Sequence, residues 1–380
     1  MAPQESPVQA DDQVPDGATV NPRVIQPYKG EIVIAGISGR YPESDSVTEF
    51  QENLMNKINM VTVDNRRWEP GYLNLPHGMG KLKNLNLYDA EFFGIHSKSA
   101  NTMEPQLRIL METVYEAVVD AGESLASMKG TRTGVYVGVT GSEAEAAWMG
   151  STNSYVLTGV PHTIFPNRVS YFFDLRGPSC AYDTACSTSI ICMEAAELHM
   201  RTGLIDSAIV AVCNLIMRPA TTSAFMGMNM LSESYSCKAF DAAGDGFARS
   251  EAVSAVLLKK AADAKRAYCT VLGTLTNNDG YSKDGLTFPN RFAQEELIRD
   301  LYNNFNIDPK QVSTYQVSSS LSVMGLEPQQ EIHKKPRLSA MPSAPTEQSR
   351  FFWDPPNLIW DTVKWLLVSV ASQVCSIWRD

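Results

Sequence analysis

The segment Gly177-Pro-Ser-Cys-Ala-Tyr-Asp-Thr-Ala-Cys186-Ser-Thr-Ser-Ile190-Ile-Cys-Met-Glu-Ala-Ala-Glu-Leu-His-Met-Arg-Thr-Gly203 changes character at Cys186. Before it, Gly177 and Pro178 break a short segment. After it, Ser187, Thr188 and Ser189 lead into a helical pattern that puts Ile190, Ile191, Ala195 and Leu198 on one face. Gly203 ends that helix as a left-handed cap. A cysteine at a helix start faces unpaired backbone N–H groups and the positive end of the helix dipole, and both favour thiolate over thiol. Cys186 is therefore a candidate nucleophile. The alternative is one more small buried residue, since free cysteine is among the most buried residue types. Cys180 and Cys192 have no such context and read as core.

The chain has 380 residues, 44% of them hydrophobic, enough for a real core in one large or two ordinary domains. Net charge is 32 minus 42, or −10, which argues against nucleic acid or an anionic membrane as the main partner. The seven cysteines show no Cys-x-x-Cys and the five histidines are scattered, so no metal site is expected. This usage suits a reducing cytoplasmic setting. The opening Met1-Ala-Pro-Gln-Glu-Ser-Pro has neither a basic start nor an apolar run.

Residues 1–27 are polar and proline-punctuated and read as a disordered tail. Glu31 to Ser38 holds a short apolar run that reads as a strand buried on both faces. Val47 to Asn56 and Pro105 to Ala121 carry apolar residues at helical spacing, the second ending at Gly122. Between them, Asn59 to Ser99 reads as a long surface excursion. Thr133 to Val139, Ile205 to Ile216, Val253 to Leu258 and Ala267 to Thr276 supply further strands. Thr140-Gly-Ser lacks the spacing of a phosphate-binding loop and reads as a strand exit. Met226, Met228 and Met230 read as core filler. Strands alternating with helices indicate a layered α/β domain.

Asp183-Thr-Ala-Cys-Ser-Thr-Ser resembles the active-site motif of β-ketoacyl synthases, the condensing enzymes of fatty acid and polyketide synthesis. The resemblance runs from about Lys29 to Asn290. It includes Ile32-Val-Ile-Ala-Gly-Ile-Ser-Gly-Arg-Tyr-Pro, Met103-Glu-Pro-Gln-Leu-Arg, Asn167-Arg-Val-Ser-Tyr-Phe-Phe-Asp-Leu-Arg-Gly-Pro-Ser and Phe240-Asp-Ala-Ala-Gly-Asp-Gly-Phe-Ala-Arg-Ser-Glu, in family order. Asp64-Asn-Arg-Arg-Trp, Gly80-Lys-Leu-Lys and Asp89-Ala-Glu-Phe-Phe-Gly-Ile-His look more like the ketosynthase of animal-type fatty acid synthase than a stand-alone bacterial enzyme. The resemblance implies a thiolase-like fold, a duplicated α/β unit whose two sheets sandwich buried helices. It also implies that Cys186 takes an acyl chain from the phosphopantetheine of an acyl carrier protein, that a malonyl carrier-protein thioester is then decarboxylated, and that no cofactor is bound by the chain itself. A ketosynthase homodimer is the other implied partner.

The family's two later histidines, which meet the charge that decarboxylation builds, have no match here. Aligning Thr314-Tyr-Gln-Val-Ser-Ser-Ser with the family strand puts Ser319 at the first histidine, and Leu321 and Val323 at two threonines that contact pantetheine. His333 matches neither histidine and reads as a surface residue. The expected organisation is a 1–27 tail, a 28–317 ketosynthase domain with an incomplete second half, a divergent 318–357 linker, and an apolar helix over 358–380. That last segment is expected to dock on the core, with interfacial membrane attachment as the second reading. For the whole chain, a fatty acid β-ketoacyl synthase stands beside two rivals. One is an incomplete fragment serving only binding or dimerisation, or a truncated gene product, and the other is an acyl acceptor that stops at the acyl-enzyme.

Overall fold

The structure is a computed structural model that describes residues 26–148, 150–238, 241–281, 283, 285 and 290–309. The expected tail, the linker, the apolar C-terminal segment, Ser319, Leu321, Val323 and His333 lie outside the described residues, apart from residues 26 and 27. In chain order the elements are β1 (Ile32–Arg40), α1 (Val47–Met55), β2 (Val61–Thr62), β3 (Met79–Gly80), α2 (Ser97–Thr102), α3 (Pro105–Asp120), α4 (Leu125–Met128), β4 (Thr133–Val139), α5 (Glu145–Trp148), α6 (Ile164–Phe173), β5 (Ser179–Tyr182), α7 (Thr188–Arg201), β6 (Ser207–Asn214), α8 (Pro219–Gly227), β7 (Ala252–Lys260), β8 (Cys269–Val271) and α9 (Arg291–Asn304).

Six strands form one mixed sheet in the order β5-β4-β6-β7-β1-β8. β4 lies parallel to β5 and β6, while β7 runs antiparallel to β6 and β1. The unbroken apolar runs in these strands follow from burial on both faces. Along β4, Val135, Val137 and Val139 join one core with Leu107, Leu110 and Val114 of α3 and Phe165 and Val169 of α6. Tyr136 points the other way, into a second core with Cys192, Met193, Ala196 and Met200 of α7. The sheet is thus sandwiched between α3 with α6 and α7, which is the layered α/β arrangement expected. One such sheet, with the two-stranded β2-β3 ribbon, lies among the described residues.

Two expectations change. The buried stripe of α7 runs through Thr188, Ser189, Cys192, Met193, Ala196, Glu197 and Met200. Ile190, Ile191 and Ala195 are half-buried and Leu198 is 58% exposed. The aliphatic stripe therefore does not mark the face against the sheet, which is a mixed one that includes Met193, Glu197 and Met200. The strand expected over Ala267 to Thr276 stops at Val271, since Val271 pairs with Ile32 at the start of β1 and no ladder remains beyond it. Past that point Thr274 donates to Glu197 of α7 at 2.7 Å, and Thr276 donates to Glu194.

The excursion after α1 is an exposed loop in part, but its ends are pinned. Lys81 is fully buried and pairs with Asp64 at 2.9 Å. Arg67 holds buried Glu251 through Nε at 2.8 Å and Nη2 at 2.6 Å. Met226 and Met230 pack on a small core around Leu231 and Phe247, as core filler should, whereas Met228 is exposed. Helices α6, α8 and α9 were not marked by the sequence pattern. Two of them open next to proline and α6 contains Pro166, and proline weakens a periodic signal.

Candidate active site

The chain leaves β5 at Tyr182, makes a tight turn through Asp183 and Thr184, and enters a single 3₁₀ turn at Ala185–Ser187 before α7 begins at Thr188. Ala185 has φ of 53°, a left-handed conformation that costs a residue with a Cβ about 1–2 kcal/mol. Local hydrogen bonds hold it there. Asp183 Oδ1 accepts from Ala185 N–H at 3.0 Å and from Thr140 Oγ1, at the exit of β4, at 2.9 Å. Thr188 Oγ1 accepts from Thr184 N–H at 2.9 Å and donates to Ala185 C=O at 2.6 Å. Ser187 Oγ donates to Thr184 C=O at 2.9 Å. The Asp, Thr and Ser side chains of the motif are thus turn-forming groups that compete with regular backbone pairing.

Cys186 is raised on this turn and is exposed, one residue ahead of the N-cap of α7. Of the six described cysteines it is the exposed one. Cys192 is fully buried and burial pushes its thiol up to about 12, with nearby Cys180 adding to the shift. Burial pushes the Cys213 thiol up as well. Cys192 matches the core reading, whereas Cys180, read the same way, is only half-buried.

The start of α7 can approach β4 because position 138 is glycine. A Cβ there would stand 2.7 Å from Thr188 Cγ2 and 2.8 Å from Val212 Cγ1. On the opposite side, the loop after β4 is fixed from α3. Glu104, fully buried, accepts from Ser142 Oγ at 2.6 Å and from Ala144 N–H at 2.7 Å. Gln106 Nε2 donates to Gly141 C=O at 3.1 Å while its Oε1 accepts from Leu215 N–H at 3.2 Å. Met103-Glu-Pro-Gln therefore ties together the ends of β4 and β6 beside the cysteine turn. Glu251 does the same for the segment after β6, accepting from Ile216 N–H at 3.0 Å and from Leu82 N–H at 2.8 Å. Sequence reading quoted both motifs but assigned neither role. Buried carboxylates in otherwise apolar surroundings were the available signal, since they persist only when hydrogen-bonded. It also missed Arg249, which stacks over the Phe225 ring at 4.9 Å. Among the described residues no group of three or more His, Cys, Asp or Glu side chains is arranged to hold a metal ion.

A family model described as the β-ketoacyl synthase N-terminal domain matches residues 29–264. The chain belongs to the β-ketoacyl synthase family. A model of the β-ketoacyl synthase C-terminal domain matches residues 268–320 of this ketosynthase chain. The fatty acid synthase of Anser anser anser is 44% identical over 303 residues, spanning 79% of this chain and 86% of the relative. The polyketide synthase component of the lovastatin nonaketide synthase of Aspergillus terreus is 41% identical over 245 residues, 63% of this chain and 8% of that one. Among solved structures, the ketosynthase from module 6 of the bacillaene synthase of Bacillus subtilis 168 superposes with a TM-score of 0.69 at 32% identity, covering 74% of this chain and 49% of that chain. The ketosynthase chain therefore spans about half the length of that solved relative, and its fold is the thiolase-like one that the motifs implied.

Proposed function

We propose that this ketosynthase chain accepts an acyl group on Cys186 from an acyl carrier protein, as the first half of decarboxylative condensation in fatty acid biosynthesis. The observation that carries it is the exposed Cys186 thiol raised on a left-handed turn at the N-terminus of α7. In the transfer the Cys186 thiol gives up its proton, its sulfur attacks the thioester carbonyl, the bond to the phosphopantetheine sulfur breaks, and that sulfur leaves as a thiolate that takes up the released proton. Covalent capture divides one difficult step into two. The second half, loss of CO₂ from a malonyl carrier-protein thioester and attack of the resulting carbanion on the acyl-enzyme, is the step that suffers here. With Ser319 at the first histidine position and no second histidine, the developing negative charge lacks its donors, and losing even one costs on the order of a hundredfold in rate.

The acyl carrier protein is the substrate partner in this reading, and no cofactor is held by the chain. A second ketosynthase chain is the assembly partner. β5 has β4 on one side and no strand on the other among the described residues, which leaves an edge for pairing. The compartment is the cytoplasm. Among the described residues no helix is long and apolar enough to cross a membrane.

The test is acylation of the purified chain by a mass-tagged acyl thioester, read cysteine by cysteine in peptide mass spectra. Cys186 acquires the tag ahead of the other six, and no β-ketoacyl product accumulates when a malonyl thioester is added. Selective tagging of another cysteine overturns the assignment, and rapid product formation overturns the block at condensation.

A further inference from the structure

Two polar side chains that lack a hydrogen-bond partner meet at one cavity. Thr222 of α8 is 3% exposed and its hydroxyl is buried without a partner, and the Nε of Arg249 is buried without one as well. Both residues line a cavity of about 10 Å³, together with Gly78, Met79, Leu231 and Phe247. Arg249 also lacks a counterion. Among the described residues its guanidinium makes no ion pair and no side-chain hydrogen bond. Glu251, two residues on, is taken up by Arg67 at 2.6 Å and by the N–H groups of Leu82 at 2.8 Å and Ile216 at 3.0 Å. What supports the guanidinium is a ring: it lies over Phe225 at 4.9 Å, and Phe225 meets Phe247 edge-on at 5.7 Å. Burial pushes Arg249 down from its ordinary value, as desolvation of a cation does.

We propose that this cavity binds one monatomic anion, chloride being the common case, between Arg249 and Thr222. Size and charge decide the ligand. About 10 Å³ accommodates a single water-sized occupant, so carboxylates, phosphate and sulfate are too large. A water molecule could accept from the Arg249 Nε–H and pair with the Thr222 hydroxyl, but it would leave the buried cation uncompensated. A halide accepts from both donors and neutralises the charge at the same time. The cavity walls come from β3 through Met79, from α8 through Thr222, and from the stretch 231–249 that leads into β7. One bound ion therefore ties together three segments that are far apart in the chain, and its signature is stability that depends on which anion is present.

The experiment follows thermal unfolding of the full chain by circular dichroism in sodium chloride, sodium bromide and sodium gluconate at matched ionic strength. Gluconate is too large for the cavity and serves as the reference. Chloride at about ten times its half-saturating concentration raises the midpoint by roughly 2–4 °C over gluconate, and bromide does the same. Thr222→Val keeps the shape of the side chain and removes one donor, so the half-saturating chloride concentration rises by about tenfold. Arg249→Met abolishes the halide response. Binding is read directly from the chloride NMR line, which the unmodified chain broadens and added bromide narrows again. That measurement needs no variant, so a poorly folding Arg249→Met leaves the proposal open to refutation. Equal midpoints in all three salts, a line that bromide does not narrow, or a halide response that Thr222→Val leaves unchanged overturns it, the last two because the ion would then be bound elsewhere.

Discussion

Thr188 accepts from Thr184 N–H and donates to Ala185 C=O, so one hydroxyl closes both sides of the turn that carries Cys186. Thr188→Val keeps the shape and removes both bonds, leaving a turn N–H unsatisfied at a cost of about 1–2 kcal/mol. Chemical denaturation should show that loss, and acylation of Cys186 should slow by more than acylation of the half-buried Cys180 changes. Equal slowing at both sites would mean that the hydroxyl serves general stability and not the turn. At this scale much was legible in the sequence. The small polar residues around Cys186 announced a turn followed by a helix, and Gly203, with φ of 77°, is the left-handed terminator it looked like. Arg249 was not legible, because an arginine in a loop motif has no periodicity to betray whether it meets water, a carboxylate or a ring.

Helix α7 packs on the sheet through Cys192, Met193, Ala196 and Met200, and its first turn meets β4 where Gly138 leaves room. Gly138→Ala places a methyl group 2.7 Å from Thr188 Cγ2, and overpacking of this kind costs about 1–3 kcal/mol. The variant should melt earlier and acylate Cys186 more slowly, since the strain falls on the residue that anchors the turn. Unchanged acylation would show that the helix start moves without carrying the thiol with it. Strand positions were read well from apolar runs, Thr133 to Val139 to the residue. The face of α7 was misread because aliphatic residues were taken to mark it, whereas the buried stripe mixes Thr188, Ser189 and Glu197 with Cys192, Met193, Ala196 and Met200. Helix α6 escaped because Pro166 and four aromatic residues within ten positions obscure a helical period.

In the molecule as a whole, the end of α3 is joined to the end of β7 by Glu123, which follows the helix's last turn. Burial alone would raise that carboxyl, but bonds from Lys259 of β7, from Ser127 and from Lys265 outweigh it and hold it at about 2. A depressed carboxyl contributes stability that is present above its unfolded value, about 4.3, and is lost as pH falls toward 2. Circular dichroism should therefore show denaturant midpoints falling between about pH 4.5 and 2, with a shallower fall in Glu123→Gln. Identical acid profiles would place the titrating group elsewhere. The layered architecture was legible from alternating strands and helices, but the strand order was not. Pairing of β1 with β7 is a choice among partners remote in sequence, and local pattern does not encode it. That pairing has a consequence in time. Ile32 meets Lys260, so 228 positions (260 minus 32) separate the strands. At about 5–20 residues per second, a ribosome needs roughly 10–45 s to reach the second after releasing the first. Throughout that interval the Ile-Val-Ile-Ala run of β1 has no native neighbour in the main sheet, which makes the nascent chain a client for holding chaperones until β7 emerges.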